Sequence, residues 1–139
     1  MQTDAQRRLN ETAQFLMDVS SPGALGARGA GMSRILHVRL MHAAVRWMIL
    51  HDPGVVRVDD QPPPIDHEGA MVWSRSWGVP ANQEDLIGTW LTFTVVVYDA
   101  FDASGVDYDE RDVDDHLHLW RLIGHHLGID PSLMPLTRV

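Results

Sequence analysis

An all-α helical bundle is the fold class this sequence predicts, and three observations predict it. Apolar residues recur near every 3.6 positions in four separate segments. Those segments start or stop at residues that cap or break helices, among them Ser20-Ser21-Pro22-Gly23, Asp52-Pro53, Asn82 and Gly128. A chain of 139 residues, 45% hydrophobic and 22% charged, is also long and apolar enough to bury one core, so residues 1–139 read as a single domain.

Residues 4–19 form the first predicted helix, with Leu9, Thr12, Ala13, Leu16 and Met17 on its apolar stripe. Arg8, Glu11 and Thr12, spaced i, i+3 and i+4, share a polar face that reads by default as a surface ion pair of small energetic weight. A loop with four glycines over residues 20–31 then leads to a cap at or just before Ser33. Residues 32–51 make the strongest helix. Its Ile35, Val38, Leu40, Met41, Val45, Met48 and Ile49 cover so much of the circumference that burial on several sides is expected, and Asp52-Pro53 ends it.

Residues 53–81 hold most of the prolines and no sustained period, which predicts a functional flap or a short element, with a brief strand at Val55–Val58 as one reading. Asn82 next caps a helix whose first turn carries Glu84 and Asp85. Residues 89–98 are rich in Thr, Val and aromatics and would pass as a strand. Leu86, Trp90, Phe93, Val97 and Phe101 nevertheless fit one helical stripe, and the capping signal decides for helix. Residues 109–127 close the set, with Val113, Leu117, Trp120, Ile123, Gly124 and Leu127 on the apolar side and Gly128 as the stop.

Composition removes several function classes. A formal charge of −8 with no basic stripe argues against a nucleic-acid partner. All eleven cations are arginine, which excludes a Schiff-base or P-loop lysine. Without cysteine there is no disulfide, thiolate nucleophile, iron–sulfur cluster or Cys-type zinc site, so any metal would need His, Asp, Glu or Met. The charge-free apolar run over residues 86–98 falls short of the about 20 residues that a bilayer requires, so no membrane span is expected. The polar first residues lack the apolar core of a secretory signal, which points to a cytoplasmic location.

The stretch Arg39-Leu-Met-His42-Ala-Ala-Val-Arg46 suggests chemistry most directly. Its spacing puts His42 and both arginines on one helical face. A neutral imidazole there can bind a metal, and two permanent cations a turn away can hold carboxylates such as haem propionates. A hydrogen-bonded core histidine, with arginines paired to a neighbouring helix, fits the same eight residues.

Three other pieces accompany it in order: Arg8-Leu-Asn-Glu11-Thr12; Gly78-Val-Pro-Ala-Asn-Gln83-Glu84-Asp85-Leu-Ile-Gly88-Thr89; and His118-Leu-Trp120-Arg121-Leu-Ile-Gly124 with Leu127-Gly128-Ile129-Asp130. Together, over nearly the whole chain, the four resemble the haem-dependent rubber oxygenase family that includes latex-clearing proteins and the MpaB-type oxygenases. The resemblance implies a globin-like helical core and haem b whose iron is held by His42. It assigns Arg39 and Arg46 to propionate contact or to support of the ligand helix. It further implies dioxygen-dependent cleavage of an isoprenoid carbon–carbon double bond, with an apolar small-molecule or isoprenoid substrate in a greasy channel.

The family's distal Arg-x-x-Lys-Thr motif falls on Arg8, Glu11 and Thr12, so glutamate stands where the family carries lysine. The reversed charge is expected to pair with Arg8, titrate upward or act as a base, and to alter or remove catalysis. The family domain is longer upstream, which implies that this chain corresponds to a shortened, C-terminal part of it. Two other readings stand beside the oxygenase: a non-catalytic haem-binding or partner-binding module completed by another chain, including a homo-oligomer, and a non-haem metal site using His118, His125 and Asp114 or Asp115.

Overall fold

The computed structural model describes residues 4–59 and 71–138, and among them it contains five α-helices and one two-stranded sheet. In chain order these are α1 (Asp4–Ser20), α2 (Ala30–His51), β1 (Val55–Val58), β2 (Met71–Ser74), α3 (Gln83–Phe93), α4 (Val95–Ser104) and α5 (Glu110–Leu127). Single 3-10 turns occupy Arg75–Trp77 and Pro131–Leu133. The chain is therefore mainly helical, as its periodicity predicts, but it is not all-α.

The helix α5 organises the core. Asp109 caps it by accepting from the Arg111 backbone N–H at 2.8 Å, and Gly128, at φ 97°, closes it by donating to the Gly124 and His125 carbonyls. Val113, Leu117, Trp120, Ile123 and Gly124 are all buried, as the stripe predicts. They pack with Val19, Ile35, Trp90, Tyr98, Ile129 and Met134 into one cluster. The Trp90 indole donates to the Trp120 carbonyl at 2.7 Å. That approach needs Gly124, because a Cβ there would sit 2.5 Å from Met134 Sδ and 3.1 Å from the indole ring.

The stripe from Leu86 to Phe101 is split. Asn82 and Asp85 form the expected capping box, but Thr94 leaves the helical region at φ −120° and ψ −82°. Its buried hydroxyl donates back to the Trp90 carbonyl at 2.9 Å, the kind of bond that bends helices, and Phe101 ends up exposed. Taken together, Gln83–Ser104 has 22 residues, and an 18-residue window within it has a mean hydropathy of 1.2, long and apolar enough to cross a bilayer by length and composition alone. Trp90, Thr94 and Tyr98 of this stretch lie buried in the protein.

Two predicted faces are turned. On α1 it is Phe15, Leu16 and Val19 that pack inward, while Leu9 and Met17 are exposed. On α2, Ile35 and Ile49 are buried and Val38 half-buried, but Leu40, Met41, Val45 and Met48 are exposed. The helices α1 and α5 and the strand β1 pack against α2 but leave these four side chains exposed, so the burial on several sides expected for it is not reached. The cap of α2 is Gly29, not a serine near position 33.

Within 53–81 the strand Val55–Val58 forms, and its partner Met71–Ser74 runs parallel to it in the register Val55 to Met71 through Val58 to Ser74. Arg57 fastens this unit to α2 by donating to the Ile49 and Asp52 carbonyls at 3.2 and 2.9 Å. The proline-rich part of the predicted flap, residues 60–70, lies outside the described residues.

Candidate functional site

A cavity of about 380 Å³ opens between α1, α2, α3 and α5. Its α1 wall is Arg8, Glu11, Thr12 and Phe15; Val38, Met41 and His42 come from α2; Leu86, Thr89, Trp90 and Phe93 come from α3. Trp120, Leu127 and Ile129 complete it, with the Phe93 and Trp120 rings stacked 5.2 Å apart at 15°. The α1 face that reads in the sequence as an ordinary solvated surface is thus the face turned toward the cavity mouth. It lines that space together with His42.

His42 is half-buried, and no hydrogen bond to its ring is made by the described residues. Other histidines are committed: His116 Nε2 bonds the Phe93 carbonyl at 3.0 Å and His51 Nδ1 the Trp47 carbonyl at 2.9 Å. Burial, and after it the positive charge of Arg46, holds the His42 pKa below the ordinary histidine value of 6.5. The ring is therefore neutral at neutral pH and keeps a lone pair for an acceptor or ligand role.

Arg39 and Arg46 are used differently from a free cationic clamp. Arg39 Nη1 donates to the His126 carbonyl at 3.2 Å. Arg46 donates through Nε to the Pro80 carbonyl at 2.9 Å and through Nη2 to the Ala81 carbonyl at 2.7 Å. Gln83, part of the third sequence motif but given no role there, completes the arrangement: its amide donates to the Gly128 carbonyl at 2.9 Å and accepts from the Asp130 N–H at 2.8 Å. These bonds join the second, third and fourth sequence motifs to one another. They surround a second cavity of about 550 Å³ that shares His42 with the first. A glutamine at a helix start carries no pattern that marks it as a bridge.

On α1, Glu11 pairs with Arg7 at 2.9 Å, both side chains exposed, so the pairing expected with Arg8 is not the one formed. Thr12 donates its hydroxyl to the Arg8 carbonyl at 2.9 Å. The alternative metal set is not assembled. His118 and His125 line a cavity of about 240 Å³ with Arg121, Asp114 faces a different cavity with Tyr108 and Arg138, and Asp115 is exposed. Among the described residues no group of three His, Cys, Asp or Glu side chains is placed to hold a metal ion.

Comparison with known proteins agrees with the motifs. The family model described as "ER-bound oxygenase mpaB/B'/Rubber oxygenase, catalytic domain" matches residues 1–139. A curated relative, the rubber oxygenase of Streptomyces sp. (strain K30), is 25% identical over 137 residues, which cover 96% of this chain and 29% of that protein. The chain thus spans less than a third of the length of this relative. No solved structure matches. With its motifs in order and the family model covering it from end to end, the chain belongs to the MpaB and rubber oxygenase catalytic-domain family.

Proposed function

We propose that this chain binds haem b through His42 and that its oxygenase activity, the dioxygen-dependent cleavage of an isoprenoid carbon–carbon double bond, is altered or lost. The observation that carries this reading is the neutral ring of His42, without a hydrogen bond from the described residues, on an apolar cavity that Arg8, Glu11 and Thr12 also line. The residues present fit the group. An imidazole free of internal hydrogen bonds is an axial ligand for iron, and a cavity within the roughly 300–1,000 Å³ of small-molecule sites, walled by Phe93, Trp90 and Trp120, suits a flat apolar ring. When bound, haem would supply iron-centred activation of dioxygen.

The chain's own groups do the rest. Arg39 and Arg46 hold α2, and with it His42, in register against the α3 start and the α5 end. Val38, Met41, Leu86 and Leu127 exclude water and receive an apolar substrate. Glu11, paired with Arg7 at the mouth, places a carboxylate where the family motif has a cation, and this favours the second reading, a haem-binding module without turnover. Haemin titration of the purified chain, read at the Soret band, tests the first claim. Saturable binding that His42→Ala abolishes is expected, whereas no saturation, or equal binding by the variant, overturns it. Mass spectrometry of a short isoprenoid incubated with the haem-loaded chain and dioxygen separates the readings: carbonyl fragments mark an oxygenase, unchanged isoprenoid a binding module.

A further inference from the structure

Arg121 of α5 carries a buried donor that the fold does not use. Its Nε is shielded from solvent and makes no hydrogen bond among the described residues, and no carboxylate there pairs with the guanidinium. A cationic N–H stripped of water and left unbonded is costly, because its desolvation penalty stays unmet. The other half-buried arginines of the described chain are all satisfied: Arg46 and Arg57 bond backbone carbonyls, and Arg138 holds Asp99 and Asp102. Arg121 is the exception.

Its surroundings state what would meet that donor. Arg121 lines a cavity of about 240 Å³ with His118, Leu122, His125, Pro131 and Met134. His118, Arg121 and His125, three and then four residues apart, share one face of α5. Neither imidazole makes a hydrogen bond among the described residues, and each ring carries at least one N–H in either protonation state. No carboxylate lines the cavity, and Asp130 beside it in the chain already accepts from the Ser132 N–H and hydroxyl at 2.9 and 2.8 Å. A fixed guanidinium charge between two ring donors suits an anion and repels the metal ion that the histidine spacing alone suggests. Leu122, Pro131 and Met134 add an apolar wall, so the anion that fits has a carbon body. The volume lies below the roughly 300 Å³ at which ordinary small-molecule sites begin, so that body is short. This cavity shares no lining residue with either cavity at His42.

We propose that the Arg121 cavity binds a small monocarboxylate, its charged end on the Arg121 and imidazole N–H groups and its short apolar body against Leu122, Pro131 and Met134. The probe is butyrate, with butyramide as the uncharged control of the same shape and sulfate as the anion without a carbon body. In nitrogen-edited NMR of the purified chain, the Arg121 Nε–H resonance, assigned through its loss in Arg121→Met, is expected to shift saturably with butyrate. Butyrate should bind about tenfold more tightly than butyramide, because its bonds are charge-assisted. Arg121→Lys should weaken binding, since an ammonium lacks the planar fork, and Leu122→Glu, at an exposed position, should abolish it by repulsion. Thermal unfolding checks that each variant folds, and Arg121→Met is expected to keep or raise the midpoint because it removes an unmet donor. No saturable shift, equal binding of butyramide, or sulfate bound as tightly as butyrate would each overturn the proposal.

Discussion

Arg46 holds Ala81 in a backbone conformation that alanine rarely adopts. Ala81 sits at φ 52°, and among the described residues it is the non-glycine position with positive φ. Its carbonyl and that of Pro80 are both fixed by the Arg46 guanidinium, which makes the turn into α3 over-determined. Removing the grip by Arg46→Gln is expected to lower unfolding free energy by about 1.5–3 kcal/mol, the range for bonds from a charged donor. Ala81→Gly should instead raise it by about 0.5–1 kcal/mol, because glycine adopts positive φ without the Cβ penalty. Urea denaturation of both variants decides the matter, and equal, unchanged midpoints would refute the strain.

Gly124→Ala is expected to destabilise the chain by about 1–3 kcal/mol through overpacking. The added methyl meets Met134 Sδ at 2.5 Å and the Trp90 ring at 3.1 Å. The sulfur lies on a flexible side chain and can yield, but the indole is fixed by its bond to Trp120. Tryptophan fluorescence during chemical unfolding reads both the midpoint and the disturbed Trp90 environment, and a variant with wild-type values would show that the helix spacing is looser than described.

The lowered pKa of His42 sets the sign of a pH effect. The unfolded chain, with histidine at 6.5, binds the proton more readily than the folded chain, so stability rises with pH across the interval between the two values. The contribution of His42 is present above 6.5 and is lost as pH falls through its lower folded value. In a series of unfolding curves between about pH 5 and 8, His42→Gln should lose part of this acid-side decline relative to the parent chain. Parallel profiles would remove His42 as its source.

At the other end of the molecule, Arg138 ties the C-terminal segment to α4 through Asp99 and Asp102, at 2.8 and 2.5 Å, and through Tyr108. The Tyr108 hydroxyl donates to Asp102 at 2.6 Å, and that bond is the first cause holding its pKa above the ordinary 10.0. Asp102→Asn should therefore bring one of the two tyrosines toward its ordinary value in an ultraviolet titration at alkaline pH, with Tyr98 serving as the internal comparison. No change in either transition would contradict the hydrogen-bond assignment.

The sequence carries most of the helical fold because its signals are local. The Asn82 and Asp85 capping box, the Gly128 stop and the α5 stripe are each made within a few residues, and each is present where the spacing puts it. The misreadings come from tertiary context. Thr94 breaks a regular stripe because its buried hydroxyl finds a helix carbonyl, and the apolar circumference of α2 exceeds the surface that its neighbours cover. Strand β2 has no turn or alternation to announce it, since a parallel partner is selected from a distance. At the candidate site, the four motifs named His42, Arg8, Glu11 and Thr12, which the fold does bring around one cavity. They could not reveal that the two arginines each bond backbone carbonyls, or that Gln83 bridges the α3 start to the α5 end.

The walls of the His42 cavity are drawn from Arg8 at one extreme of the chain and Ile129 near the other. Almost every contact across it joins residues far apart in sequence, and such contacts form only after the entropy of closing long loops has been met. The individual helices can form early from local contacts, but the cavity is a late product of folding and has no counterpart in any fragment. A chain cut anywhere before α5 docks would keep much of its helicity and lose the compartment entirely, so helical content is a poor surrogate for a chain that can receive its ligand.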